Sequence, residues 1–355
     1  MTEPANIERI VVRAPNWVGD AVMSLPALRR LRQLFPAAQL TVAAAPGSAD
    51  IFSEITFIDD VLVHRHSGAM AVIHHAREWR THKFDLAVLL QNAFAAAVTA
   101  FLARVPVRIG YATDRRGGLL SHPLAVPGWK NERHESLYYL NIIAETERII
   151  LGSASTTGLD PQFVLDVSLE KKTSARELLQ RHGARLDRPL AILCPGSVNS
   201  RAKRWPAERY AALCDRLIQN GFEVALIGSP GELEVSEQVR KQAEKPPILL
   251  TGKTSVSEAT ALISVAQVLI TNDTGPAHIG AALQTPTLVI FGPTNPLTTY
   301  PLSPNAEIIR EPPDCAPCML RDCPIDHRCM TAIAPEEVFQ RAKSLISEKK
   351  IQIVG

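Results

Sequence analysis

The chain has 355 residues, 46% of them hydrophobic and 21% charged, with Lys+Arg 38 against Asp+Glu 36. That length exceeds one comfortable core and predicts two domains, while a net charge of +2 gives no global basis for nucleic-acid binding and leaves only local basic patches. Met1–Arg9 is polar with no signal segment, and no apolar run reaches the length of a membrane span, so a soluble cytoplasmic protein is expected, peripheral membrane contact being still open.

Hydrophobic periodicity predicts a strand over 9–14, a helix over 20–35, strands over 40–44 and 61–64, and a helix over 68–81. A buried strand over 85–90, a helix over 94–103, a short strand over 107–109 and a long helix over 133–151 follow. Gly152–Pro161 is a Gly/Ser/Thr-rich break and reads as a linker. The alternation then restarts, with strands over 190–194, 222–227, 248–250, 268–271 and 287–291. Helices are predicted over 169–182, 207–220, 231–244, 256–265, 277–283 and 335–348. Repeated strand–helix alternation predicts an α/β fold with parallel sheets wrapped by helices. The expected division is 1–160, 161–335 and a C-terminal helix, 336–355, packing back toward the first domain, with a cleft between the two halves.

Open α/β sheets bind ligands at the carboxyl ends of their strands, and here those ends are polar. The stretch Thr271–Leu283 brings Asp273, Thr274, Gly275 and His278 to such an edge, and Phe291–Pro296 ends the next strand. A helix that begins at Thr274-Gly275 offers backbone N–H groups and a positive dipole end to a diphosphate. Capping accounts for Asp273 alone, not for His278 and the second strand end together. The first strand ends in Pro15-Asn16-Trp17-Val18-Gly19-Asp20, where Gly19 is expected to allow a tight turn. Asp20 there is either a general base or a helix cap, and the motif alone favours the cap.

The second half opens on Cys194-Pro-Gly-Ser197, followed by Ala202-Lys-Arg-Trp-Pro206. Ser197 and Lys203 form either a phosphate cradle or part of a solvated basic loop. Glu232, after Gly228-Ser-Pro-Gly, is suited to a ribose hydroxyl or to a helix N-terminus. Thr254 and Ser255 lie in a fourth polar strand end, placed to border a base. Four such ends on one edge describe a nucleotide-sized pocket. The dinucleotide fingerprint and the Walker lysine motif are both absent.

Cys315, Cys318, Cys323 and Cys329 are spaced C-x2-C-x4-C-x5-C, with His327 nearby. In a reducing compartment they form either a structural zinc or iron–sulfur site or a loop of free thiols. Cys194 and Cys214 sit in apolar surroundings and are expected to be buried thiols. In the first half, Arg108, Arg115, Arg116, Lys130 and Arg133 are candidates for a basic receiving surface, and Trp79 with the His and Arg residues of 74–80 for a membrane-facing one.

Together, N-W-V-G-D (16–20), L-x-N-x-F (90–94), C-P-G (194–196), A-K-R-W-P (202–206), T-N-D-T-G-P-x-H (271–278) and F-G-P-T-N-P (291–296) resemble the ADP-heptose:lipopolysaccharide heptosyltransferases of glycosyltransferase family 9. The resemblance spans nearly the whole chain. It implies a GT-B architecture of two Rossmann-like domains facing a cleft, the first for a lipid A-linked core oligosaccharide acceptor and the second for ADP-heptose. It implies inversion without a required cofactor or metal, peripheral contact with the cytoplasmic face of the inner membrane, and no nucleic-acid partner. Asp20 becomes the general base and Lys203 the counter-charge to the leaving diphosphate. Asp273 holds heptose hydroxyls, Thr274 and Gly275 hold phosphate, and Glu232 holds the ribose. Asn92, Arg115 and Arg116 are assigned to the acceptor; Ser197, Thr254, Ser255 and His278 line the donor pocket. Ser197–Arg201 and Ala277 depart from the family pattern. A family transferase with another acceptor, and a nucleotide-sugar-binding protein without turnover, are the competing readings.

Overall fold

The computed structural model describes residues 7–65 and 68–354, the side chains of 348–354 excepted. Residues 1–6, 66, 67 and 355 lie outside the described residues. The chain divides into two compact units at Phe163/Val164.

The first unit runs β1 (Arg9–Arg13), α1 (Val18–Leu34), β2 (Gln39–Ala44), α2 (Pro46–Phe52), β3 (Asp60–Val63), α3 (Ala69–His82), β4 (Leu86–Leu89), α4 (Phe94–Leu102), β5 (Val107–Tyr111), β6 (His122–Leu124) and α5 (Glu135–Leu151). The strands form one sheet in the order β3-β2-β1-β4-β5-β6, and every pair is parallel. Strand β1, RIVVR, is buried at every residue after the first. Both faces of a parallel sheet are covered by helices, so its central strands are continuous apolar runs rather than alternating ones. Helix α1 packs on α5, and Gly152 stops α5 in the left-handed conformation at φ 68°.

The second unit runs α6 (Leu169–Arg181), β7 (Leu190–Cys194), α7 (Ala207–Gln219), β8 (Glu223–Leu226), α8 (Leu233–Gln242), β9 (Ile248–Leu249), α9 (Val256–Ser264), β10 (Val268–Asn272), α10 (Gly275–Ala282), β11 (Thr287–Ile290), α11 (Pro296–Thr299), β12 (Ala306–Ile309), α12 (Arg328–Thr331) and α13 (Pro335–Val354). Its sheet order is β12-β11-β10-β7-β8-β9, the same doubly wound pattern repeated, again with parallel pairs. Helix α13 packs on α7, β10 and β11. The core centres on Trp205, Tyr210, Leu213, Ile270 and Ile290. Among the described residues no helix is long and apolar enough to cross a membrane.

The α/β expectation holds in both units. The missed elements are α2, β6, α11, β12 and α12. Helix α2 starts at Pro46, a favoured first helical residue, but Pro-Gly-Ser there reads equally as a turn. Strand β6 contains Pro123, tolerated because β6 is an edge strand.

Trp79 is fully buried, which removes it from any membrane-facing surface. Its indole N–H donates to His64 Nε2 at 3.1 Å, and His64 stacks on His75 with ring centroids 3.7 Å apart. Burial, then Arg13, His75 and His74, lowers the His64 pKa from its ordinary 6.5 to about 3. The unfolded chain therefore takes up a proton that the folded chain refuses, and stability is lost as pH falls from about 6.5 towards 3. The thermal midpoint is expected to fall through that window, with this site contributing at most about 1.4 kcal/mol per pH unit. A His64→Leu variant should lose less stability per pH unit; identical slopes would assign the acid sensitivity elsewhere.

Candidate active site

In each unit the strand order reverses beside the first strand, between β1 and β4 and between β7 and β10. Connections leave in opposite directions there and open a crevice at the carboxyl ends of the strands, where doubly wound sheets bind ligands. Asp20 follows β1, Asn92 follows β4, Ser197 follows β7, and Asp273 and Thr274 follow β10. Glu232 follows β8, and Thr254 and Ser255 follow β9, on the same edge.

In the first unit the turn after β1 is held by Arg13, whose guanidinium donates to the Ala14 carbonyl at 2.6 Å and to Asn16 Oδ1 at 2.8 Å. Burial lowers the Arg13 pKa to about 10. The turn closes at Trp17, the residue preceding α1, so Gly19 is already helical. Asp20 lies in the first turn of α1 and is not its N-cap, which removes the capping reading. It is half-buried, and the Tyr139 hydroxyl of α5 is 3.4 Å from its Oδ1.

The acceptor candidates divide. Arg115 is exposed. Arg116 is fully buried and donates to the carbonyls of Tyr111, Gln91 and Ala93 and to Asn92 Oδ1. Asn92 in turn donates to the Tyr138 hydroxyl at 2.9 Å. Arg116 thus holds the turn after β4 instead of offering its charge to an acceptor, because a buried guanidinium needs its donors satisfied internally. Arg108 donates to the carbonyls of Leu119 and Val105, Lys130 pairs with Glu135, and Arg133 lies over the Trp129 ring.

In the second unit Lys203 Nζ is 2.9 Å from Asp273 Oδ2 and 3.1 Å from the Asp273 carbonyl. Thr294, in the loop after β11, donates to the same Oδ2 at 2.7 Å. The Asp273 side chain is 4% exposed and that of Lys203 26%, so a buried carboxylate is matched by an ammonium that still reaches solvent. Thr274 precedes α10 without a side-chain cap, and Gly275 is the first residue of that helix. His278 is buried on α10. Ser197 is buried, and its carbonyl accepts from Nε and one terminal nitrogen of the Arg204 guanidinium. Thr254 is half-buried in the turn before α9. Ser255 forms a reciprocal capping box with Glu258, so its hydroxyl is committed to α9.

Two residues tie these strand ends together. Asn272, fully buried, accepts from Trp205 N and the Tyr210 hydroxyl and donates to the carbonyls of Pro195 and Gly196. Sequence reasoning passed it over, although a polar residue closing an apolar strand was the available signal. Glu232 caps its own turn through Ser229 N and Oγ, both 2.7 Å from Oε2, and lies across Gly196, where a Cβ would come within 2.6 Å of its Cγ. Gly196→Ala is therefore expected to displace Glu232, cost about 1 kcal/mol of stability through the lost cap, and weaken nucleotide affinity about tenfold. Calorimetric titration with ADP checks this; unchanged affinity separates Glu232 from the nucleotide.

The four cysteines carry free thiols, Cys315 exposed and Cys329 buried, and they line a small pocket with Ala202, Pro293 and His327. Burial, then the neighbouring thiols, raises the Cys329 pKa to about 11. Among the described residues no three His, Cys, Asp or Glu side chains are placed to hold a metal ion. The zinc or iron–sulfur expectation for Cys315, Cys318, Cys323 and Cys329 is therefore not met by the side-chain placement among the described residues, although all four thiols border the same small pocket. Cys194 and Cys214 are buried, and burial raises both thiols well above their ordinary range.

The sequence model of glycosyltransferase family 9 (heptosyltransferase) matches residues 72–328. The chain belongs to glycosyltransferase family 9. Among family 9 proteins, lipopolysaccharide heptosyltransferase 2 of Salmonella typhimurium is 29% identical over 357 residues, covering 97% of this chain and 100% of that protein. The structure of E. coli ADP-heptose LPS heptosyltransferase II superposes with a TM-score of 0.82 at 26% identity, covering 97% of this chain and 100% of that one. A family 9 glycosyl transferase from Veillonella parvula shares the fold, with a TM-score of 0.81 at 24% identity over 96% and 97% of the two chains.

Proposed function

We propose that this family 9 glycosyltransferase moves a heptose from ADP-L-glycero-β-D-manno-heptose to the heptosyl-Kdo2-lipid A inner core of lipopolysaccharide, with inversion, as a type II heptosyltransferase. The observation that carries this reading is the Lys203–Asp273–Thr294 cluster at the β7/β10 switch point, beside the start of α10. An ammonium and a helix N-terminus together suit a leaving diphosphate. In the proposed reaction the acceptor hydroxyl attacks the anomeric carbon. The bond from that carbon to the diphosphate oxygen breaks, ADP leaves with the electron pair from the opposite face, and the hydroxyl proton passes to the Asp20 carboxylate. Positive charge builds on the sugar ring as in glycoside cleavage, and the negative charge growing on the diphosphate meets Lys203.

A lipid-linked acceptor places the reaction at the cytoplasmic face of the inner membrane. The packed helices α3 and α4 support that placement, with exposed Met70, Ile73, Phe101 and Leu102 and exposed Arg77, Arg80 and Arg104, a mixture of apolar and basic side chains suited to an anionic lipid surface.

The test measures ADP release from ADP-heptose with and without heptosyl-Kdo2-lipid A, alongside other acceptors and nucleotide sugars. Acceptor-dependent release with a heptosylated product is expected. Donor binding without release would make the chain a nucleotide-sugar-binding protein, and preference for another acceptor would move it to a different transferase of the family.

A further inference from the structure

The turn that carries Lys203 is gripped by the loop that carries the cysteines. Ala202 N donates to the Arg321 carbonyl at 2.9 Å. The Ala202 carbonyl lies 2.6 Å from His327 Nε2, and Ser200 Oγ is 3.2 Å from the carbonyls of both Leu320 and Arg321. Arg201 also pairs with Asp322, an exposed pair of little weight. The contact that matters is the one to His327. The Ala202 carbonyl belongs to the peptide plane that leads into Lys203, so holding that oxygen fixes the direction in which the lysine side chain leaves the backbone. A carbonyl only accepts, so Nε2 carries the hydrogen. Ala202 is 2% exposed, and a hydrogen bond shielded from water is stronger than one in solvent.

The other end of the grip is firmly based. His327 stands immediately before α12 in the left-handed conformation, at φ 55°, and α12 puts Cys329 and Met330 into the core of the unit. Met330 in turn lies against Gly292, where a Cβ would have no room beside its sulfur. The short helix that follows His327 is therefore packed against the loop after β11.

We propose that His327 is a positioning residue for Lys203: by fixing the Ala202–Lys203 peptide it sets the reach of the ammonium toward the diphosphate of the nucleotide sugar. This rests on the role proposed above for Lys203. It also gives the cysteine loop a function independent of any metal, as the outer clamp of the anion-binding turn.

Two substitutions test it. Asn tolerates the left-handed backbone but is too short to reach the Ala202 carbonyl, whereas Gln carries an N–H donor about as far out as the ring nitrogen. His327→Asn is expected to raise the ADP-heptose Kd about tenfold and to lower kcat, with the acceptor KM unchanged. His327→Gln should stay within about threefold of the parent protein in both. A merely structural role predicts the reverse ranking, because Gln fits the left-handed backbone less well. In a Lys203→Ala background His327→Asn should add no further loss, the signature of two residues acting through one interaction. Parent-like donor affinity and kcat in His327→Asn, or an equal loss in the Gln variant, overturns the inference. If Lys203→Ala itself binds donor normally, it is the Lys203 reading that fails.

Discussion

Asp20→Asn is expected to lower turnover by about a hundredfold or more while leaving ADP-heptose affinity unchanged. The two side chains have nearly the same shape, so the first turn of α1 and the contact with Tyr139 survive. What disappears is the ability to accept a proton from the acceptor hydroxyl. Because Asp20 belongs to the first unit and the nucleotide contacts are proposed for the second, donor binding has no reason to change. Measuring kcat under saturating donor and acceptor, with donor Kd by calorimetry, separates the outcomes. Unchanged kcat would remove Asp20 as the base. A kcat loss accompanied by an equal loss of donor affinity would point instead to a disturbed fold. Tyr139 supplies a control: its hydroxyl is at the long end of hydrogen bonding, and Tyr139→Phe should cost far less than Asp20→Asn.

Lys203→Ala is expected to weaken donor binding and turnover together, by about 2–4 kcal/mol in kcat/KM, the range for removing one preorganised group from developing negative charge. It should also cost stability. The 4% exposed Asp273 side chain loses its ion partner while the Thr294 hydroxyl remains on it, and removing one member of a buried pair costs about 3–5 kcal/mol. The 26% exposure of Lys203 puts the expected loss at or below the lower end of that range. A second substitution distinguishes the two effects. Adding Asp273→Asn to Lys203→Ala removes the stranded charge and should recover much of the thermal midpoint, but none of the donor affinity. Equal donor affinity in parent and Lys203→Ala proteins would sink the counter-charge role. Recovery of affinity in the double variant would show that the single substitution acted through a misplaced Asp273.

Much of this was legible before folding was considered. Strands β1, β7 and β10 are short apolar runs with polar residues at their ends, and that composition is dictated by burial on two faces of a parallel sheet. The candidate residues Asp20, Ser197 and Asp273 were found because a strand that ends in Gly, Ser, Asn or Asp stands out against its apolar interior. The edge elements β6 and β12 were not found. Three or four residues in an edge strand carry too little pattern to separate them from a loop, and Pro123 argued against a strand where the edge position made it harmless.

Local sequence also misled where a polar side chain had an internal use. Arg116 and Arg115 are neighbours of the same charge, yet one is fully buried and the other exposed. Nothing in residues 112–118 announces that the carbonyls Arg116 serves lie at Gln91, Ala93 and Tyr111. Ser255 was read only as bordering a base, and its hydroxyl also caps α9. Asn272 went unremarked, although it joins the turns after β7 and β10 to the start of α7.

The amino-acid sequence by itself determined the two α/β units and the strand ends that carry polar chemistry, because hydrophobic periodicity and turn residues act over a few positions and are written locally. Only the tertiary structure decided which of those polar groups are left to face a ligand. That choice depends on hydrogen bonds between residues tens to more than a hundred positions apart, such as Lys203 to Asp273 and His327 to Ala202. Such partners meet only when parallel strands bring their carboxyl ends to one edge.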